Sequence, residues 1–334
     1  TMRKSQAVYR AKPKRRLLRG VLILLFLLLA TYTLTDLFSH ETSVGHFSSV
    51  EGRNQYLEAY DQVMASITPP SVTHDIMTSW GSVRVYEWQS TDDTVSIPVV
   101  LLPGHSSGTP MWQANISAFS ESHTVYALDA LGDAGKSMQL VPLRAIDDVL
   151  AWIDQTLDEL SLNQVHIVGH SFGAGFAANY AKAYPERVRT LTLMEPAFAL
   201  NYPSLSVLFW ATVATLEFLP ESWRNHGLAA MTGEDVSSVA TNDPLAKMIS
   251  AATAHYIASL PTPPTLTENE LSALAMPVYV ALGGNSPITT SKTEENARLI
   301  PHVTVRTWEN STHSLPMEVA SELAVELEQF WREH

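Results

Sequence analysis

The amino-acid sequence predicts an α/β fold: a mostly parallel twisted sheet with helices on both faces, a helical lid inserted after the sixth strand, and a membrane helix at the N-terminus. Three observations predict it. Short apolar runs bounded by Gly or Pro alternate with segments of helical period, the pattern of strands joined by crossover helices. The alternation breaks once, over residues 196–276, where aromatic, Leu and Pro residues accumulate without a good strand. A basic tract is followed at once by an uncharged, Leu-rich run.

Residues 1–19 hold eight of the 21 Lys and Arg and no acid, which leaves 13 bases against 34 acids, a net −21, on the rest of the chain. Such a body repels polyanions, so no nucleic-acid partner is expected. With 334 residues and 46% hydrophobic content the chain can bury a full core. The absence of Cys removes disulfides, thiolate metal sites and a thiol nucleophile together.

After the basic segment 1–19 comes Gly20 to Thr35, a run of 16 residues without charge, extended past Asp36 by Leu37 and Phe38. It lacks the polar face that a surface helix needs. Residues 20–38 therefore read as a single-pass membrane anchor, with a cleaved signal peptide as the alternative, and the body outside the cytoplasm. Residues 39–80 read as a connector with one amphipathic helix that stops at Thr68-Pro69-Pro70. The core follows in two pieces, 81–195 and 277–334. Ser82 to Trp88, IPVVLLPG, HTVYALDALG, VHIVG and VRTLTLM read as strands, and Leu143 to Leu160 and SFGAGFAANYAKAYP as helices. After the insertion come the strand PVYVALGG, the helix SKTEENARLI, the strand VTVRTWE and a last helix from Pro316 to Trp331. A connection as long as 196–276 inside a compact domain is usually functional, commonly a lid.

The stretch VHIVGHSFGAG sets Ser171 between Gly169 and Gly173, after an apolar strand and before a helix. A hydroxyl is a poor nucleophile until a base takes its proton, and it must project into a site. A sharp strand-to-helix turn achieves this, with the two glycines leaving room for neighbouring backbone. The same turn aims the N–H of Phe172 and the dipole of the following helix at the reacting centre.

With that motif the chain resembles the α/β-hydrolase fold family from about Val83 to Phe330. The resemblance implies a second oxyanion donor in LLPGHSSGTPMW, where Pro103 replaces the usual His and the donor becomes the N–H of His105. It implies a catalytic base between the last strand and the last helix, where NSTHSLPME places His313. The acid that orients this His usually follows the seventh strand in a Gly-x-x-Asp-Pro segment. Here ALGGNSPITT carries Asn285 and Ser286 instead. The family's second location, after the sixth strand, holds Glu195 in TLTLMEPAF, and Glu195 is taken as the triad acid. Otherwise Asn285 or Ser286 would orient the ring of a Ser171–His313 dyad. The family resemblance of ALDALGDAGKS implies a structural loop without a chemical role.

A Ser nucleophile points to acyl transfer to water, with carboxylic esters as the expected small-molecule substrates. The lid aromatics Phe209 and Trp210, and Trp112 near the oxyanion loop, are the expected wall for an apolar group. No Walker loop, dinucleotide fingerprint or His-Glu-x-x-His sequence occurs, so neither a cofactor nor a metal is implied. A catalytically inactive binding module and an acyltransferase or lyase on the same scaffold remain the alternatives.

Overall fold

The computed structural model describes residues 31, 43–92 and 96–334. The chain enters through a two-residue strand, β1 (His46–Phe47), and a helix, Val50–Ser66, capped by the Ser49 hydroxyl, which accepts the Gly52 N–H. The strands β2 (Val72–Thr78) and β3 (Gly81–Trp88) form an antiparallel hairpin around Ser79 and Trp80. Then follow β4 (Val99–Leu102), β5 (Val125–Leu128), β6 (Met138–Gln139), β7 (Val165–His170) and β8 (Val188–Met194). After the insertion, which contains β9 (Tyr256–Ile257), the sheet resumes with β10 (Val278–Gly283) and β11 (Val303–Trp308).

The main sheet runs β11-β10-β8-β7-β4-β5-β3-β2, with β6 paired to β3. It is mixed, which corrects the expectation of a mostly parallel sheet: β4, β5, β7, β8, β10 and β11 run parallel, while β2, β5 and β6 all pair antiparallel to β3. A connection of two residues between β2 and β3 cannot hold a crossover, so the chain turns straight back on itself. Residues 72–78, read from sequence within a connector, are thereby a sheet strand. Their mostly exposed side chains hide the burial signal that marks the central strands.

The strands sort their side chains with period two. On one face Val100, Leu102, Leu128, Val278 and Val280 pack under the helices Ile146–Glu159 and Phe172–Ala183. On the other, Val99, Leu101, Ala127, Tyr279 and Ala281 pack under Val50–Ser66 and Ala320–Glu333. The last helix, expected as one piece from Pro316, is divided at Val319 into Leu315–Glu318 and Ala320–Glu333.

Between β8 and β10 lie the helices Leu205–Thr215, Glu221–Thr232, Val236–Val239, Pro244–His255 and Glu268–Ser272. No strand was expected here, yet β9 pairs with β1, His46 opposite Ile257 and Phe47 opposite Tyr256, and Pro244–His255 packs on Val50–Ser66. The start of the described domain and residues 244–257 of the insertion are thus tied together.

The expected N-terminal membrane helix, the membrane location and the partnership with a bilayer are withdrawn. Among the described residues no helix is long and apolar enough to cross a membrane. The segment 20–38 lies outside the described residues apart from Thr31. Its uncharged run of 16 residues is itself shorter than the ~20 needed to span a bilayer.

Candidate active site

The chain departs from β4 in opposite directions. β5 lies on one side of it and β7, β8, β10 and β11 on the other, which opens a crevice at the C-terminal ends of β4 and β7. Ser171 stands there. It follows the last residue of β7 directly and precedes the first residue of the helix Phe172–Ala183, with φ 52° and ψ −117°. That left-handed φ costs a non-Gly residue on the order of 1–3 kcal/mol. The surroundings hold it: the Ser171 N–H donates to the Met194 carbonyl at 3.0 Å, and its own carbonyl accepts the N–H groups of Ala174 and Ala197 at 3.1 and 3.2 Å. The flanking glycines are steric necessities. A Cβ at Gly169 would lie 2.5 Å from the Gly173 carbonyl oxygen, and one at Gly173 would lie 2.4 Å from that of Pro103.

Three side chains from three distant segments meet in line. Ser171 Oγ lies 2.8 Å from His313 Nε2, and His313 Nδ1 lies 3.1 Å from Glu195 Oε2. With Nδ1–H donating to the carboxylate, Nε2 presents its lone pair to the hydroxyl, the tautomer a general base needs. Glu195 is fully buried, and a lone carboxylate there would be costly. Its Oε1 accepts the Gly283 N–H at 2.5 Å and the Thr289 hydroxyl at 3.2 Å, so both oxygens are engaged. The Glu195 N–H continues the sheet ladder to the Ala281 carbonyl at 2.8 Å. A carboxylate rooted at the end of β8 therefore reaches the space beyond β10, one strand over. Asn285 and Ser286 are engaged elsewhere: the Asn285 amide donates to the Asn310 carbonyl, and the Ser286 hydroxyl accepts the Ile288 N–H.

The loop after β4 abuts Ser171. A Cβ built on Gly104 would stand 3.2 Å from Ser171 Cβ, and the His105 and Phe172 rings lie 5.6 Å apart. Among the described residues no acceptor takes the main-chain N–H of His105 or of Phe172. Asp133, which the sequence did not single out, holds the loop. Its buried carboxylate accepts the Ser106 N–H at 2.9 Å, the His105 Nδ1–H at 2.8 Å and the Ala134 N–H at 2.7 Å. Desolvation works to lower the His105 pKa, but the Asp133 charge and hydrogen bond outweigh it and hold the imidazole above its usual range. Asp129, four residues earlier, accepts the Thr109 and Lys136 N–H groups and the Tyr60 hydroxyl. The stretch ALDALGDAGKS is thus the brace of the loop after β4, and its paired carboxylates were the signal that could have marked it.

The His170 ring lies 4.8 Å from that of His313, with Nε2–H donating to the His313 carbonyl at 2.9 Å. Burial, and secondarily the neighbouring His313 ring, push its pKa down to about 3. Trp112, expected against substrate, is fully buried in the core with its ring edge-on to His170. Phe209 and Trp210 are half-buried on Leu205–Thr215, with their rings edge-to-face and Trp210 against His226. A different apolar group adjoins Ser171 through its neighbour Phe172. Phe172 packs with Ala197, Phe198, Val207 and Ile288, joining the insertion to the elbow.

A doubly wound sheet, an insertion after β8 and a Ser–His–carboxylate line at the strand ends define a class of protein, and a family model described as alpha/beta hydrolase fold matches residues 97–319. The chain belongs to the alpha/beta hydrolase fold family. It is 25% identical over 281 residues to carboxylesterase YbfK of Bacillus subtilis (strain 168), a match covering 81% of this chain and 92% of that protein. It is 26% identical over 159 residues to the uncharacterized carboxylesterase nap of the same strain, there spanning 48% of this chain and 51% of the relative. The crystal structure of naproxen esterase (carboxylesterase NP) from Bacillus subtilis superposes with a TM-score of 0.73 at 21% identity, over 85% of this chain and 99% of that one, a likeness of fold.

Proposed function

We propose that this carboxylesterase-like hydrolase cleaves carboxylic esters bearing an apolar group, through an acyl-enzyme on Ser171. The observation that carries the reading is the unbroken line of contacts from Ser171 Oγ through the His313 ring to the buried Glu195 carboxylate. His313 takes the hydroxyl proton as Oγ attacks the ester carbonyl, then returns it to the departing alkoxide, which leaves as alcohol. Water, deprotonated by the same ring, releases the acid and restores Ser171. The N–H groups of His105 and Phe172 receive the oxyanion of each tetrahedral intermediate. Glu195 keeps Nδ1 protonated and stabilises the imidazolium.

The names of the relatives, two carboxylesterases matched in sequence and an esterase matched in fold, favour esters over the family's other substrates. The patch of Phe172, Phe198, Val207 and Ile288 favours an apolar acyl or alcohol group, and residues 196–276 act as the lid above it. Phe209 and Trp210 extend that wall.

The test is hydrolysis of a graded panel of chromogenic acyl esters, together with capture by an organophosphorus reagent located by peptide mass. Turnover that rises with acyl chain length and a label on Ser171 are expected. Turnover without labelling at Ser171, or a main product that is a new ester when an alcohol is added, would overturn the hydrolytic reading.

A further inference from the structure

The triad geometry depends on where the His313 backbone is held, and both of its polar main-chain groups are taken. Its carbonyl accepts from His170 Nε2 at 2.9 Å, which ties it to the elbow. Its N–H donates at 2.9 Å to the carbonyl of Thr232, the last residue of the insertion helix Glu221–Thr232. The residues on either side are held by glutamates of different origin. Thr312 gives its N–H and hydroxyl to Glu318, six positions on, at 2.8 and 2.6 Å. Ser314 gives its hydroxyl to Glu234, eighty positions away on the insertion. Gly233, between Thr232 and Glu234, ends the helix in the left-handed conformation at φ 82°, its N–H on the Ala229 carbonyl. A side chain there would strike the Asn285 carbonyl oxygen at 2.5 Å, so the turn sits directly on the loop after β10.

We propose that Glu234 is a positioning residue for His313: through Ser314, and beside the Thr232 carbonyl, it clamps the loop that carries the imidazole, so that the triad is aligned only while the helix Glu221–Thr232 is seated. The inference rests on the reading of Ser171, His313 and Glu195 as the triad. A part-buried Glu–Ser hydrogen bond with no such role would add a little stability and nothing to turnover. A clamp acts on the rate instead, because small misplacements of a base relative to its nucleophile are costly while substrate binding is left as it was.

The experiment measures kcat, KM and the thermal midpoint of the full chain and of Glu234→Ala, Ser314→Ala, their double variant and Glu234→Gln, on one chromogenic ester. Each alanine variant is expected to lose about 10-fold in kcat with KM nearly unchanged. The double variant should lose no more than either single one, the mark of two residues acting through one contact. Glu234→Gln, whose amide oxygen still accepts from Ser314, should keep most of the parent kcat. Parent-like kcat in both alanine variants, losses that multiply in the double variant, or a loss confined to KM would each overturn the proposal. A Ser171→Ala variant assayed alongside separates the two readings: if it turns over like the parent, the triad itself is wrong, whereas an inactive Ser171→Ala with parent-like Glu234→Ala removes only the clamp.

Discussion

The two ends of β7 each bury an imidazole, and only one end is a site. At the start of the strand His166 binds Thr190 Oγ1 at 2.8 Å, lies edge-on to His123 and rests against Trp331. At the other end His170 directly precedes Ser171 and lies against His313. Burial is the leading cause that pushes both pKa values down to about 3. A buried, strongly perturbed His is therefore no mark of catalysis in this molecule. What separates the ends is alignment and the concentration of strain: of the five non-Gly residues with positive φ among the described residues, Ser106, Ser171, Glu195 and Phe198 lie in the loops at the C-terminal ends of β4, β7 and β8, against Ser161 alone before the start of β7. At that end a third imidazole, His313, has one nitrogen on a hydroxyl and the other on a carboxylate.

Breaking the active end has the largest effect. Ser171→Ala is expected to lower kcat by about 10⁶-fold, measured by ester hydrolysis, with the fold intact by circular dichroism. Residual turnover near the parent value would show that the chemistry lies elsewhere. Next comes Glu195→Gln, expected to cost about 10⁴-fold, since the amide can hold the ring in the wrong tautomer and cannot stabilise the imidazolium. A parent-like rate there would return the orienting role to Asn285 or Ser286. Asp133→Asn loosens the loop that aims the His105 N–H and should cost about 10- to 100-fold in kcat with little change in KM.

The smallest effect is on stability and comes from the two buried imidazoles, one at each end of β7. His166 and His170 stay neutral in the folded protein at a pH where an unfolded chain protonates them. Their contribution to stability is therefore complete above about pH 6.5 and is lost as the pH falls toward the folded-state value of about 3. The urea midpoint should decline between about pH 7 and about pH 4.5, and His166→Gln should flatten that decline without changing kcat. An equal slope in the variant would assign the acid sensitivity to other groups.

Much of the active end is legible in the sequence because it is local. An apolar strand, two glycines flanking a Ser and a run of small residues are contiguous, and the turn they form needs no distant partner. Glu195 is legible only by its position after VRTLTLM. Its partners, the Gly283 N–H and the Thr289 hydroxyl, arrive from some ninety residues away. Asp133 and Glu234 escape notice for the same reason, since each acts on a loop that only folding brings near. Trp112 shows the opposite failure. An aromatic residue in a loop beside a nucleophile fits a substrate wall and a core equally well by sequence, and the structure buries it. The strand β2 is hidden by its exposure, and β6 and β9 by having two residues each.

The pairing of His46–Phe47 with Tyr256–Ile257 bears on how the protein is made. A ribosome releases the first strand of that pair long before the second exists, and the helix behind it must wait likewise for Pro244–His255. The early segment therefore stays without those mates until residue 257 has been made. A polypeptide halted anywhere before residue 256 would leave that end unfastened, a natural handle for a chaperone or a protease.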